Sequence, residues 1–138
     1  MPDFTIAAVA ARTGCSPASI RFYEEEGLLG AVARGANGRR RFGWPEIARL
    51  RFIRRFRDLG FGLADIRMLI QASDGRECGA ARALAAAQLE TIRARRAGLD
   101  LAERALLAIT QTCTADACAD GPSDACALFG DAHAPRGP

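Results

Sequence analysis

The feature that most restricts how this chain can fold is the Ala- and Leu-rich run over residues 79–112, bounded by Cys78 before it and Cys113, Cys118 and Cys126 after it. Good helix formers fill the run, and a single helix of that length separates Cys78 from Cys113 by about 50 Å at 1.5 Å per residue. One such chain cannot bring the two thiols together. Two copies packed antiparallel would set Cys78 of one beside Cys113, Cys118 and Cys126 of the other, making a symmetric pair of thiol-rich pockets in a homodimer. Ala85, Leu89, Ile92, Arg96, Leu99, Glu103 and Leu106 recur in alternating steps of four and three, the seam spacing of a two-stranded coiled coil. Arg96 and Glu103 interrupt that seam, and either pair across the dimer or snorkel. Gly98 costs about 1 kcal/mol relative to alanine inside a helix, which leaves open a second arrangement, a helical hairpin bent there.

With 138 residues, the remainder of the chain suffices for one small domain. A hydrophobic content of 49% argues against disorder. No apolar run approaches the roughly 20 residues that span a bilayer, and Met-Pro-Asp-Phe does not begin a signal peptide, so a cytoplasmic protein without a membrane partner is expected. In that reducing setting five cysteines point to metal ligands or redox sensors before disulfides.

Charge is divided unevenly. Residues 1–60 hold eleven arginines against six acids, a net +5, and residues 61–138 hold eight against ten, a net −2. The first half is therefore the candidate polyanion-binding half. Every basic side chain is arginine, suited to two-pronged contacts with phosphate or guanine, although GC-rich coding bias gives the same composition.

Within that half, Thr5 caps a short helix with Ile6, Val9 and Ala10 on its apolar stripe, and Thr13-Gly14 ends it. Ser16-Pro17 opens a second helix carrying Ile20, Phe22, Tyr23, Glu24 to Glu26 and Leu28. Two short helices around a tight turn form a helix-turn-helix, whose second helix presents Ser16, Ala18, Ser19 and Arg21 at its base-reading end. Asn37-Gly38 signals a two-residue hairpin with positive φ at both positions. With Arg34, Arg39, Arg40 and Arg41 around it, that hairpin is a wing suited to phosphates, or else a solvated charged loop. Trp44-Pro45-Glu46 begins a third helix, with Ile47, Leu50 and Ile53 facing the core and Arg49, Arg51, Arg54, Arg55 and Arg57 around it. Gly60-Phe61-Gly62 breaks the chain before a fourth helix over 63–70. Trp44, Phe52, Phe56 and Phe61 are expected as packing residues, and Cys15 as a small packed residue in the turn.

Residues 5–70 closely resemble the N-terminal domain of MerR-family transcriptional regulators, and weaker resemblance extends to about residue 129. The carrying segments are Ser16-Pro17-Ala18-Ser19-Ile20-Arg21-Phe22-Tyr23-Glu24-Glu25-Glu26-Gly27-Leu28-Leu29, Asn37-Gly38-Arg39-Arg40-Arg41-Phe42, Ile47-Ala48-Arg49-Leu50-Arg51-Phe52-Ile53 and Leu59-Gly60-Phe61. The resemblance implies a mainly α protein. It would have a winged helix-turn-helix DNA-binding domain over 1–71, a linker and long antiparallel coiled-coil dimerisation helix over 72–112, a metal-binding loop and short helix over 113–130, and a disordered tail over 131–138. It also implies a homodimer on a palindromic promoter in double-stranded DNA, distorting it so that RNA polymerase can engage. Arg21 would reach the groove or its phosphates, Tyr23 a phosphate and Arg40 the backbone. Arg39 stands where the family usually carries an aromatic residue.

Thiolates prefer soft and borderline metals, and the Cys113-x4-Cys118-x7-Cys126 loop, with its Asp, Gly, Pro and Ser, is able to wrap an ion. Reduced cysteines with no ligand role are the plain alternative. The resemblance implies ligands at Cys78, Cys113, Cys118 or Cys126, with Cys78, Cys113 and Cys126 preferred. A cysteine at position 78 matches sensors of divalent ions, pointing to zinc, cadmium, mercury or lead. A redox or iron-sulfur sensor of the same fold and a thiolate metal-storage protein are the competing readings. With His133 as the single histidine, set in a Gly/Pro tail, no catalytic constellation is present and an enzyme is not expected.

Overall fold

A computed structural model describes residues 2–113. The expected loop, short helix and tail after Cys113, with Cys118, Cys126 and His133, lie outside the described residues.

Helix α1 (Ile6–Thr13) begins where the Thr5 hydroxyl accepts the Ala8 N–H. It ends at Gly14, whose φ of 71° lets its N–H return to the Ala10 carbonyl at 2.8 Å. Helix α2 (Pro17–Glu25) starts with the Ser16 hydroxyl accepting the Ser19 N–H at 3.1 Å. It stops earlier than the sequence suggested. Gly27 turns left-handed at φ 73°, the Leu28 N–H reaches back to Tyr23 O and the Gly27 N–H to Glu24 O. Those two bonds are a Schellman stop, and they send Leu28 and Leu29 into the core beyond the helix.

The hairpin pairs β1 (Ala33–Arg34) with β2 (Arg40–Arg41), antiparallel, with Arg34 opposite Arg40. Its turn is not the expected two-residue type. Gly35 O accepts the Gly38 N–H, Gly35 N–H donates to Arg39 O, and of the Asn-Gly pair only Gly38 has positive φ. This is a three-residue loop with a glycine bulge. The Asn37 side chain accepts the Arg39 N–H, which stabilises the turn without a left-handed asparagine. Phe4 exchanges two backbone bonds with Phe42, fastening the N-terminal segment to the base of the hairpin.

Helix α3 (Trp44–Asp58) starts where the Glu46 carboxylate accepts the Gly43 N–H at 2.6 Å. Ile47, Leu50 and Ile53 are fully buried one turn apart, at the centre of a core shared with Val9, Ile20, Phe42 and Ile66. Phe61 is buried and joins half-buried Phe52 and Phe56 in an aromatic row, but Trp44 is 51% exposed. As the first residue of α3 it lies at the rim of the core and packs edge-on against Phe4. A second Schellman stop at Gly60 turns the chain into α4 (Leu63–Asp74), longer than expected by a turn.

Three arginines hold the helices together through main-chain carbonyls. Arg51 donates to Arg12 O and Arg54 to Thr13 O, both at the C-terminal end of α1, while Arg67 of α4 donates to Glu26 O at the end of α2. Helix C-termini carry unpaired carbonyls and partial negative charge, so a guanidinium there is favourable on both counts. Arg49 reaches both carboxylate oxygens of Asp74, joining α3 to α4.

Helix α5 (Cys78–Thr112) has 35 residues. Ala81 and Leu84 lean on the core and Gln88 donates to Leu59 O. The first compact unit ends at Gln88; the second begins at Leu89, and its described part is the rest of α5. The helix continues without a break through Gly98, so the hairpin alternative is not the structure. Backbone bonds propagate the helix on either side, and one glycine does not outweigh them.

Two substitutions test the stops. Gly14→Ala lowers stability by about 1–2 kcal/mol in urea unfolding, because the backbone at position 14 is left-handed and an added Cβ meets the Arg54 guanidinium. At α4 the left-handed residue is Arg76, φ 57°, one position after Gly75. Arg76→Gly therefore raises stability by up to about 1 kcal/mol in the same assay.

Candidate nucleic-acid interface and thiol positions

Ser16 and Ser19 sit at the N-terminal end of α2, their hydroxyls 2.8 Å apart, with Ser16 engaged in the helix cap. Ala18 and Arg21 are exposed beside them. Tyr23 is half-buried against the core, its ring tilted against that of Phe22. Cys15 is buried under the turn, its N–H donating to the Thr13 hydroxyl, as expected of a packing residue.

The tertiary fold gathers four of the singled-out arginines. Arg21 from α2 and Arg34, Arg39 and Arg40 from the hairpin line one cleft, together with Thr5 and Ile6 at the start of α1. Four guanidinium groups around one cleft, beside the amino end of a helix, favour a polyanion. Ser16, Ala18, Ser19 and Tyr23 are not among the residues lining it.

These arginines differ in how they are held. Arg41 pairs with Asp3 at 2.7 Å. The Arg40 Nε contacts a Glu24 carboxylate oxygen, and Arg34 lies 3.9 Å from the other oxygen. Among the described residues neither Arg39 nor Arg21 has an ion pair, so their charge is fully available to a ligand. Glu24 was absent from the sequence-derived site. In the sequence it is one of three consecutive acids, indistinguishable there from Glu25 and Glu26.

Cys78 is the first residue of α5 and is exposed; Cys113 follows its last residue and is half-buried, its N–H bonded to Ile109 O. Cys118 and Cys126 lie outside the described residues. Among the described residues no three His, Cys, Asp or Glu side chains converge on one point. All seven seam positions from Ala85 to Leu106 are exposed, with Leu99 and Leu106 at 70% and 60%. No described helix is long and apolar enough to cross a membrane.

Residues 4–73 match the model of the MerR HTH family regulatory proteins, and residues 47–120 match a MerR DNA-binding model. The chain is 32% identical over 115 residues to the mercuric resistance operon regulatory protein of Pseudomonas fluorescens, covering 83% of this chain and 80% of that one. A transcription regulator from Ralstonia metallidurans, solved in complex with lead(II), superimposes with a TM-score of 0.76 at 30% identity, covering 94% and 98% of the two chains. HiNmlR, a regulator lacking the sensor domain and solved bound to promoter DNA, superimposes with a TM-score of 0.58 at 27% identity, covering 80% of this chain and 87% of that one.

Replacing the unpaired wing cation, Arg39→Ala, weakens binding to any DNA duplex and lowers the slope of log affinity against log salt by about 1 per subunit, read by fluorescence anisotropy.

Proposed function

This chain belongs to the MerR family of helix-turn-helix transcriptional regulators, and from that premise we propose that it is a metal-responsive one. It binds a palindromic promoter as a homodimer and activates transcription by distorting the DNA when a soft divalent ion binds. The observation that carries this reading is the coexistence of the arginine cleft, within one compact unit, with thiols at both ends of α5. A metal-storage role would leave that cleft without a purpose.

On duplex DNA, Arg21, Arg34, Arg39 and Arg40 neutralise phosphates, while Ser16, Ala18 and Ser19 at the start of α2 face base edges and Tyr23 a phosphate. The exposed seam of α5 packs against a second copy, antiparallel. Each buried leucine of that seam contributes about 1.5–3 kcal/mol, enough to make the helix pair the dimer axis. Arg96 and Glu103 meet their counterparts within it.

The donor set fits a soft divalent ion: sulfur ligands select zinc, cadmium, mercury or lead over hard cations. Cys78 of one subunit and Cys113 and Cys126 of the other supply three thiolates, and Cys118 is the fourth candidate. A bound ion would lend its charge and geometry to tie the two subunits together at that point. It acts as an effector only through tighter binding to the conformer that untwists the promoter for RNA polymerase. The mercuric and lead relatives support an ion of this class.

Purified, reduced protein should bind two such ions per dimer and stimulate run-off transcription from its promoter. Cys78→Ser should abolish stimulation while leaving duplex affinity in the absence of metal unchanged. Full stimulation by divalent ions in that variant would eliminate the shared pocket.

A further inference from the structure

Glu24 is an acid paired with two of the four arginines that line the cleft. Its side chain is 14% exposed and lies between Arg40, contacted through Nε, and Arg34 at 3.9 Å. Arg34 and Arg40 are opposite partners in the hairpin register, so one carboxylate on α2 holds both strands of the wing. Among the described residues no hydrogen bond joins the hairpin to α2, and the hairpin's other long-range ties, Phe4 with Phe42 and Asp3 with Arg41, run to the N-terminal segment. The ion pairs of Glu24 are thus the polar link that sets where the wing stands relative to the second helix of the helix-turn-helix.

A carboxylate in that place has two opposed effects on a polyanion. It subtracts one charge from the potential of the cleft, and at low exposure the subtraction is poorly screened. It also directs two long side chains that would otherwise sample many rotamers. An arginine held through Nε still has its terminal nitrogens for a phosphate, now at a fixed spacing from α2.

We propose that Glu24 is a positioning residue of the DNA interface, which lowers non-specific attraction to phosphate and raises sequence discrimination by fixing the wing on α2. The inference rests on the assignment of the arginine cleft to duplex DNA.

The test uses a duplex enriched by the full-length parent protein from a randomised pool, and a scrambled duplex of the same length and composition. Binding of both is measured by anisotropy over a range of salt. Glu24→Gln should bind the scrambled duplex roughly threefold more tightly, with a salt slope steeper by about 1 per subunit. The preference for the selected duplex should fall by roughly tenfold, the scale of one lost base-pair contact. Unchanged slope and preference, or an equal loss on both duplexes, would overturn the role. If circular dichroism shows that Glu24→Gln is unfolded, Glu24→Asp keeps the charge and shortens the reach. It should lose preference at unchanged slope, and full preference would overturn the proposal. A parent protein that enriches no sequence instead removes the DNA assignment itself, and the role of Glu24 with it.

Discussion

The contact on which the rest of the first unit depends is that of arginine with the carbonyl ends of helices. α1 and α2 are eight and nine residues long, too short to be stable alone in water. Val9 and Ile20 give each an apolar anchor in the core, but apolar contact is non-directional and leaves the helices free to rotate or slide. Arg51, Arg54 and Arg67 remove that freedom. Each reaches a main-chain oxygen at the end of α1 or α2 from a longer helix, and each bond is charge-assisted. The helix-turn-helix is held by its ends onto α3 and α4.

This use of arginine divides the basic half of the chain by function. Arg49, Arg51, Arg54 and Arg57 on α3 are occupied with carbonyls or with Asp74. Arg21 and Arg39 are not, and Arg34 and Arg40 are shared with Glu24. A net charge of +5 over residues 1–60 therefore overstates what a polyanion meets, and the cleft between α2 and the hairpin concentrates what is left. Concentration in one cleft matters more to recognition than the total, because phosphate contacts act through position.

The described part of α5 beyond Gln88 rests on a different balance. It buries none of its residues, yet it carries Leu89, Ile92, Leu99 and Leu106 along a seam interrupted by Arg96 and Glu103. Its ion pair, Glu90 with Arg93, is exposed and contributes a fraction of a kcal/mol. Apolar stripes of this length on a polar-backed helix call for another apolar surface, and the stripe's four-three spacing suits a second helix.

Much was legible in the sequence wherever a few neighbouring residues decide the outcome. Thr5 and Ser16 as caps, Gly14 as a stop, the apolar spacing of Ile47, Leu50 and Ile53, and an uninterrupted α5 are all fixed by bonds within one helical turn or by periodicity. The same locality misdirects the reading of the hairpin loop toward a two-residue turn, because Asn37-Gly38 suits two turn types and the flanking Gly35–Arg39 bond decides between them. Trp44 was misplaced for a related reason: helical spacing gives a face, and whether the first residue on that face is covered depends on what packs there. The identity of each arginine's partner lay beyond sequence altogether. Arg40 and Glu24 are sixteen positions apart, and Arg51 and Arg54 find carbonyls on a helix some forty positions earlier. The sequence by itself determined that these helices form, where α1 ends, and the stock of guanidinium and thiol groups. Only the tertiary structure decided which guanidinium groups are spent on carbonyls and which converge on a cleft, because a long, flexible, charged side chain takes the partner that folding brings within its reach.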